Sequence, residues 1–315
     1  MRKALVERFR SGDRLALARL LTLAAHGEPL EAELAALPVS SKPSRVIAVT
    51  GSGGVGKSTL VGKSIEWLRS QNQTVAVLAC DPQSPLTGGA LLGDRFRMPD
   101  MTADAGVFIR SLAAPSGHGA IADHLDTMIL LLERFGFDVV LIETVGAGQG
   151  DTIIHDLVDA LVVMLQPEMG DDLQWEKAGL LEVADVVVIH KADLPGAEQV
   201  EAQVRSMLGL STGAQAPILR VSAKSGQGLA ELWKAVADLP RRRRPVHPEN
   251  GEGLLRLAQA VLAERFATAQ AEGYADLQGL IAQWQQGRIE TDEAATALIQ
   301  VLQREHGILR EKQPH

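Results

Sequence analysis

Nine consecutive residues carry the strongest chemical signal in the chain: Gly51, Ser52, Gly53, Gly54, Val55, Gly56, Lys57, Ser58 and Thr59. They match the pattern G-x-x-x-x-G-K-[ST] and follow an apolar run, Val46 to Thr50, as a strand-to-helix phosphate loop requires. Glycines let the backbone curl until its N–H groups surround a β-phosphate, and the helix that starts there adds positive field. Lys57 is suited to bridging β- and γ-phosphates, and the Ser58 hydroxyl to ligating Mg²⁺. The chemistry expected of this segment is binding and hydrolysis of a nucleoside triphosphate.

The choice of base is written further along. His190, Lys191, Ala192 and Asp193 follow the run Val186 to Ile189, and Ser222, Ala223 and Lys224 follow Ile218 to Val221. Both groups fall at C-terminal strand ends, where open α/β sheets bind ligands. They resemble the Asn-Lys-x-Asp and Ser-Ala-Lys elements of GTPases. The resemblance implies that Asp193 accepts from guanine N1–H and the exocyclic amine, that Lys191 lies along the base plane, and that the Ala223 N–H meets guanine O6. Adenine cannot supply those donors, and a buried acceptor left unpaired is costly, so GTP is expected over ATP. His190 departs from the pattern, which has Asn there; its plain reading is a loop histidine beside the nucleotide.

Carboxylates at other strand ends offer a metal shell. Asp81 follows Val75 to Cys80, Glu143 follows Val139 to Ile142, and Asp94 closes the segment that Asp81 opens. Hard oxygen donors facing a phosphate loop are natural partners of Mg²⁺, directly or through water. Asp81, Asp94 and Glu143 are therefore expected to hold the metal or activate water, the alternative for each being a helix cap. Gly146 is placed to present its N–H to the γ-phosphate. Gln149 is a candidate for orienting the attacking water, or else a turn residue.

Taken in order, residues 51–59, the block Asp81 to Met98, Val107 to Ser111 and Ile142 to Gln149 resemble the MeaB/ArgK-type GTPases, relatives of the methylmalonic aciduria type A protein. The resemblance covers roughly residues 5 to 240. It implies a homodimeric GTPase that docks on an adenosylcobalamin-dependent acyl-CoA mutase and gates loading, protection or reactivation of that enzyme's cofactor. The cobalamin belongs to the partner; GTP or GDP and Mg²⁺ belong here. The resemblance also implies a further nucleotide-responsive switch over Gln166 to Lys177, with Lys177 approaching the nucleotide. His190, and Gly150-Asp151 where relatives often have Ser-Glu, are the local departures. Two rival readings use the same sheet class: a nickel metallochaperone GTPase, which needs clustered soft or imidazole ligands, and a P-loop small-molecule kinase, which normally takes ATP.

The elements that must position these residues are legible from periodicity. Seven short apolar runs (Val46 to Thr50, Val75 to Cys80, Val107 to Ile109, Val139 to Ile142, Leu161 to Leu165, Val186 to Ile189, Ile218 to Val221) alternate with helical stretches. Runs apolar on both sides mark strands buried on both faces, so the expected fold is α/β, a P-loop NTPase with a doubly wound, mostly parallel sheet and helical extensions at each end. Residues 1–40 read as an N-terminal helical arm, 41–240 as the GTPase domain, and 241–315 as a linker with a C-terminal helical dimerisation region. Within the arm, Leu17, Leu20, Leu21 and Ala24 share one helical face. In the tail, Leu277, Leu280, Ile281 and Trp284 form one stripe and Ala295, Leu298, Ile299 and Leu302 another. Arg241 to Arg244 read as a solvated linker.

Of the 315 residues, 46% are hydrophobic and 22% charged, a globular mix with no case for disorder. A net charge of −8 argues against a general grip on nucleic acid or anionic lipid. A single cysteine, Cys80, excludes an internal disulfide, and no stretch reaches the roughly 18 apolar residues of a membrane span, so a cytoplasmic protein is expected.

Overall fold

A computed structural model describes residues 2–39, 42–82, 104–114, 124–145, 154–167, 178–209, 216–242, 262, 265, 266, 269, 270 and 273–304. The chain divides into two compact units, Met1–Val246 and His247–His315.

The first unit is built on seven strands: β1 (Arg45–Gly51), β2 (Val75–Pro82), β3 (Val107–Ala114), β4 (Val139–Glu143), β5 (Ala160–Leu165), β6 (Val186–His190) and β7 (Ile218–Val221). They lie in the order β3-β2-β4-β1-β5-β6-β7, and every pairing is parallel. Successive residues of a strand point to opposite faces, and both faces are dry. On one side Val46, Ala48, Val140, Ile142, Leu161 and Val163 pack with the N-terminal helices and the helix Leu125–Phe135. On the other side Ile47, Val49, Leu141, Val162 and Val188 pack with the helices Lys57–Ser70 and Leu229–Asp238. All seven apolar runs of the sequence are strands, and β2 and β3 extend beyond theirs, paired in register from Val75↔Val107 to Pro82↔Ala114.

The N-terminal 37 residues are not one helix but three: α1 (Arg2–Arg10), α2 (Arg14–Ala25) and α3 (Glu31–Ala36). Gly12 at φ +80° and Gly27 at φ +69° take left-handed conformations that a continuing helix excludes. Asp13 restarts the chain by accepting from Leu15 N at 2.8 Å. The expected face holds, since Leu17, Leu20 and Leu21 have no exposed surface. Each such burial contributes about 1.5–3 kcal/mol. Phe9 meets Phe135 edge to face at 5.0 Å, so these helices share the core of the sheet.

Arg241 and Arg242 are docked rather than solvated. Arg241 donates to Ser44 O at 2.8 Å, and Arg242 donates to His155 O at 3.2 Å and forms an ion pair with Asp185. Both therefore bind the end of the sheet opposite the phosphate loop.

In the second unit the helices Ala275–Gln285 and Thr291–Arg304 close over Ala269, Leu277 and Leu302. The second stripe is rotated from expectation. Leu298, Val301 and Leu302 face inward, at i, i+3 and i+4, while Ala295 is exposed and Ile299 is 42% exposed. Trp284 is also half-exposed. No described helix of either unit is long and apolar enough to cross a membrane.

Candidate functional site

Five strands deliver the candidate residues to one edge of the sheet. β1 ends at Gly51, and the loop Ser52 to Gly56 leads into the helix Lys57–Ser70, with Gly56 at φ +99° as its N-cap. Asp81 is the penultimate residue of β2, Glu143 the last of β4 and His190 the last of β6; Ser222, Ala223 and Lys224 follow β7. Asp81 and Glu143 lie within strands, so neither caps a helix. Asp94, Gly146, Gln149 and Lys177 lie outside the described residues.

A cleft of about 310 Å³ is lined by Gly54, Lys57, Ser58, Thr59, Asp81 and Glu143 among others. Lys57 lies along the loop, donating to Gly51 O at 2.8 Å, Ser52 O at 3.1 Å and Val145 O at 3.4 Å. These acceptors suit a buried ammonium, which is 8% exposed. The Ser58 hydroxyl donates to Glu143 Oε1 at 2.6 Å, with both groups buried. A hydroxyl, two carboxylates and the cleft they line form a hard-oxygen donor set, which suits Mg²⁺.

Behind this layer is a pair that the sequence reading missed. Thr144 and Thr50 join their hydroxyls at 2.8 Å while the Thr144 N–H donates to Val49 O at 3.1 Å, which locks the exit of β4 to β1. Nothing in the local sequence distinguishes these threonines from ordinary strand residues.

The base-loop residues also converge. Asp193 accepts from the Ser222 hydroxyl at 2.6 Å, and that bond holds its carboxyl below the ordinary carboxylate range, ionised and able to accept. Lys191 takes a positive φ of +55°, turning the chain sharply after β6. His190 is no loop histidine: it ends β6 and is 4% exposed, and its ring lies against Gly56.

The sequence profile described as "Methylmalonyl Co-A mutase-associated GTPase MeaB" matches residues 17–263. The chain belongs to this family and is a P-loop GTPase. The GTPase ArgK of Escherichia coli is 36% identical over 247 residues, 74% of each chain. The mitochondrial methylmalonic aciduria type A homolog of Mus musculus is 37% identical over 199 residues, 61% of this chain and 48% of that one. Among solved structures, the crystal structure of LAO/AO transport system kinase superposes with a TM-score of 0.64 at 25% identity, covering 96% of this chain and 97% of the other. This MeaB-family GTPase carries its phosphate loop, two strand-end carboxylates and the loops after β6 and β7 on one edge of an all-parallel sheet.

Proposed function

We propose that this MeaB-family protein is a GTP-hydrolysing chaperone. It docks on an adenosylcobalamin-dependent acyl-CoA mutase and gates loading, protection or reactivation of that enzyme's cofactor. The observation that carries the nucleotide half is the Ser58 to Glu143 hydrogen bond of 2.6 Å inside the cleft that Lys57 and Asp81 also line. Lys57 moves from loop carbonyls to the β- and γ-phosphates. Ser58, Glu143 and Asp81, with Asp94, hold Mg²⁺, which when bound neutralises charge developing on the phosphoryl oxygens. The loop N–H groups from Gly51 to Thr59 cradle the phosphates, and Gly146 meets the γ-phosphate. Gln149 orients the attacking water. Asp193, Lys191, Ser222, Ala223 and Lys224 hold guanine, with His190 beside them.

The mutase half rests on the family's description as mutase-associated. We assign the protein to the cytoplasm as a homodimer joined through its C-terminal unit, whose exposed Trp284 and Ile299 are suited to a subunit contact. Hydrolysis should be slow alone, because among the described residues Lys57 is the one cation lining the cleft, and Lys177 is the residue assigned to enter when the partner docks. The test mixes the purified protein with an adenosylcobalamin-dependent mutase and measures complex formation by gel filtration and phosphate release. Faster release in a nucleotide-dependent complex is expected. No complex in any nucleotide state would remove the chaperone reading and leave the GTPase intact.

A further inference from the structure

On the sheet face that packs with the N-terminal helices, β1 and β4 meet in apolar rungs, Val46 beside Val140 and Ala48 beside Ile142. The next rung on that face is polar. One step beyond the last pair, Val49↔Glu143, the register brings Thr50 beside Thr144, and the Thr144 hydroxyl donates to that of Thr50 at 2.8 Å. Both residues are buried, at 0% and 1% exposure, and the Thr144 N–H donates to Val49 O at 3.1 Å. A pair of valines has the same shape and would fill this rung with no hydroxyl to desolvate. Exchanging a buried hydrogen-bonded pair for apolar groups of that shape is close to neutral for stability, so packing does not call for the hydroxyls. What they add is direction. Each β-branched side chain is stiff at χ1, so the bond between them, with the N–H bond to Val49, fixes the backbone of Thr144 against β1.

The residues on either side of Thr144 are the ones that reach the phosphate loop. Glu143 points to the opposite face, where it accepts from Ser58 at 2.6 Å. Val145 O accepts from Lys57 at 3.4 Å, and the same ammonium donates to the carbonyl of Gly51, the neighbour of Thr50, at 2.8 Å. Thr144 lines the cleft together with Glu143 and Val145.

We infer that Thr144, held by Thr50, is a positioning residue for GTP hydrolysis. The hydroxyl pair fixes where the chain leaves β4, and so sets Glu143 and the segment that runs on to Gly146 against the phosphate loop. This rests on the nucleotide reading above and deepens it by naming what aligns the hydrolytic side of the site. The groups assigned to hold the nucleotide come from other segments, the loop after β1 and the loops after β6 and β7. Loosening Thr144 therefore acts on the chemical step more than on nucleotide binding, because displacing a reacting group by about 1 Å can cost roughly a hundredfold in rate.

The experiment compares the wild type, T144V, T144S and the double variant T50V/T144V by single-turnover GTP hydrolysis with Mg²⁺, by GDP affinity in a fluorescent nucleotide titration, and by thermal unfolding. T144V should lower the hydrolysis rate constant roughly 10- to 100-fold with GDP affinity within about threefold of the wild type, whereas T144S keeps the hydroxyl and hydrolyses within about threefold of it. The double variant strands no hydroxyl, so it should melt close to the wild type while staying as slow as T144V. Hydrolysis by T144V at the wild-type rate overturns the inference. A T144S as slow as T144V also overturns it, since the methyl and not the hydroxyl would then matter. So does a double variant that regains the wild-type rate, which would trace the slowness of T144V to the stranded Thr50 hydroxyl, and so does GDP affinity that falls in step with the rate. If T144V does not fold, T144S and the double variant decide. A wild type that neither binds nor hydrolyses GTP would fell the nucleotide reading itself, whereas a wild type that hydrolyses it beside equally fast variants fells only the hydroxyl pair.

Discussion

Ser58 and Glu143, 85 positions apart in sequence, share a buried hydrogen bond of 2.6 Å that ties the first turn of the phosphate-loop helix to the end of β4. Parallel pairing makes this possible. β4 lies directly beside β1, with Val49 opposite Glu143, so the residue ending one strand reaches the helix that follows the other.

If Glu143 belongs to the Mg²⁺ shell, Glu143→Gln keeps an acceptor for Ser58 while removing the charge. The Mg²⁺ concentration for half-maximal GTP hydrolysis should then rise about 10- to 100-fold, as for other residues that support a metal. A magnesium titration superimposable on the wild type would exclude Glu143 from the metal.

Asp193 is held by Ser222 and kept ionised by that bond. In Asp193→Asn the amide oxygen can still accept from Ser222, and its NH₂ can donate to the second carbonyl of xanthine, where a carboxylate cannot. Competition binding should show GTP weakened and XTP gained. Undiminished GTP affinity with no gain for XTP would take Asp193 out of the base site.

The strands were legible because each is a continuous β-branched or apolar run, and such runs suit strands covered on both faces. β3 ran past its apparent end at Ile109 because ladder pairing with β2 overrides the polar Arg110 and Ser111. The phosphate loop was legible, and the candidate base loops stood out, because each lies within a few consecutive residues. What escaped was long-range. His190 meets partners 135 and 33 positions away, and Thr50 meets Thr144 across 94. The arginine run looked like linker because charge alone does not reveal that Ser44 O, His155 O and Asp185 await it.

Lys57→Ala should abolish triphosphate binding while leaving the fold in place. Among the described contacts, the ammonium bonds the carbonyls of Gly51, Ser52 and Val145, all at the mouth of the sheet and not in its apolar core. Losing a charged donor of this kind costs about 1–3 kcal/mol. Thermal unfolding should shift by several degrees, while GTP hydrolysis falls to background. Hydrolysis at the wild-type rate would misplace the whole site.

The C-terminal unit can be tested with two cuts, because the anchors Arg241 and Arg242 fix where the first unit really ends. A chain of residues 1–245 keeps both anchors and loses the helices that leave Trp284 and Ile299 exposed. It should sediment as a monomer and bind guanine nucleotides as the full chain does, since the phosphate and base loops lie entirely within Met1–Val246. A chain of residues 1–240 is also expected to be monomeric but loses the donors to Ser44 O and His155 O and the cation facing Asp185. Arg242 and Asp185 are mostly shielded, with side chains 28% and 16% exposed, and the Asp185 carboxylate also accepts from Leu161 N at 2.7 Å at the start of β5. Removing a charged partner from such a site costs about 1–3 kcal/mol. The shorter chain should therefore melt several degrees below the longer one while both bind nucleotide at low temperature. A dimer surviving in the longer chain would move the subunit contact to the GTPase unit, and equal melting temperatures would return Arg241 and Arg242 to the status of linker.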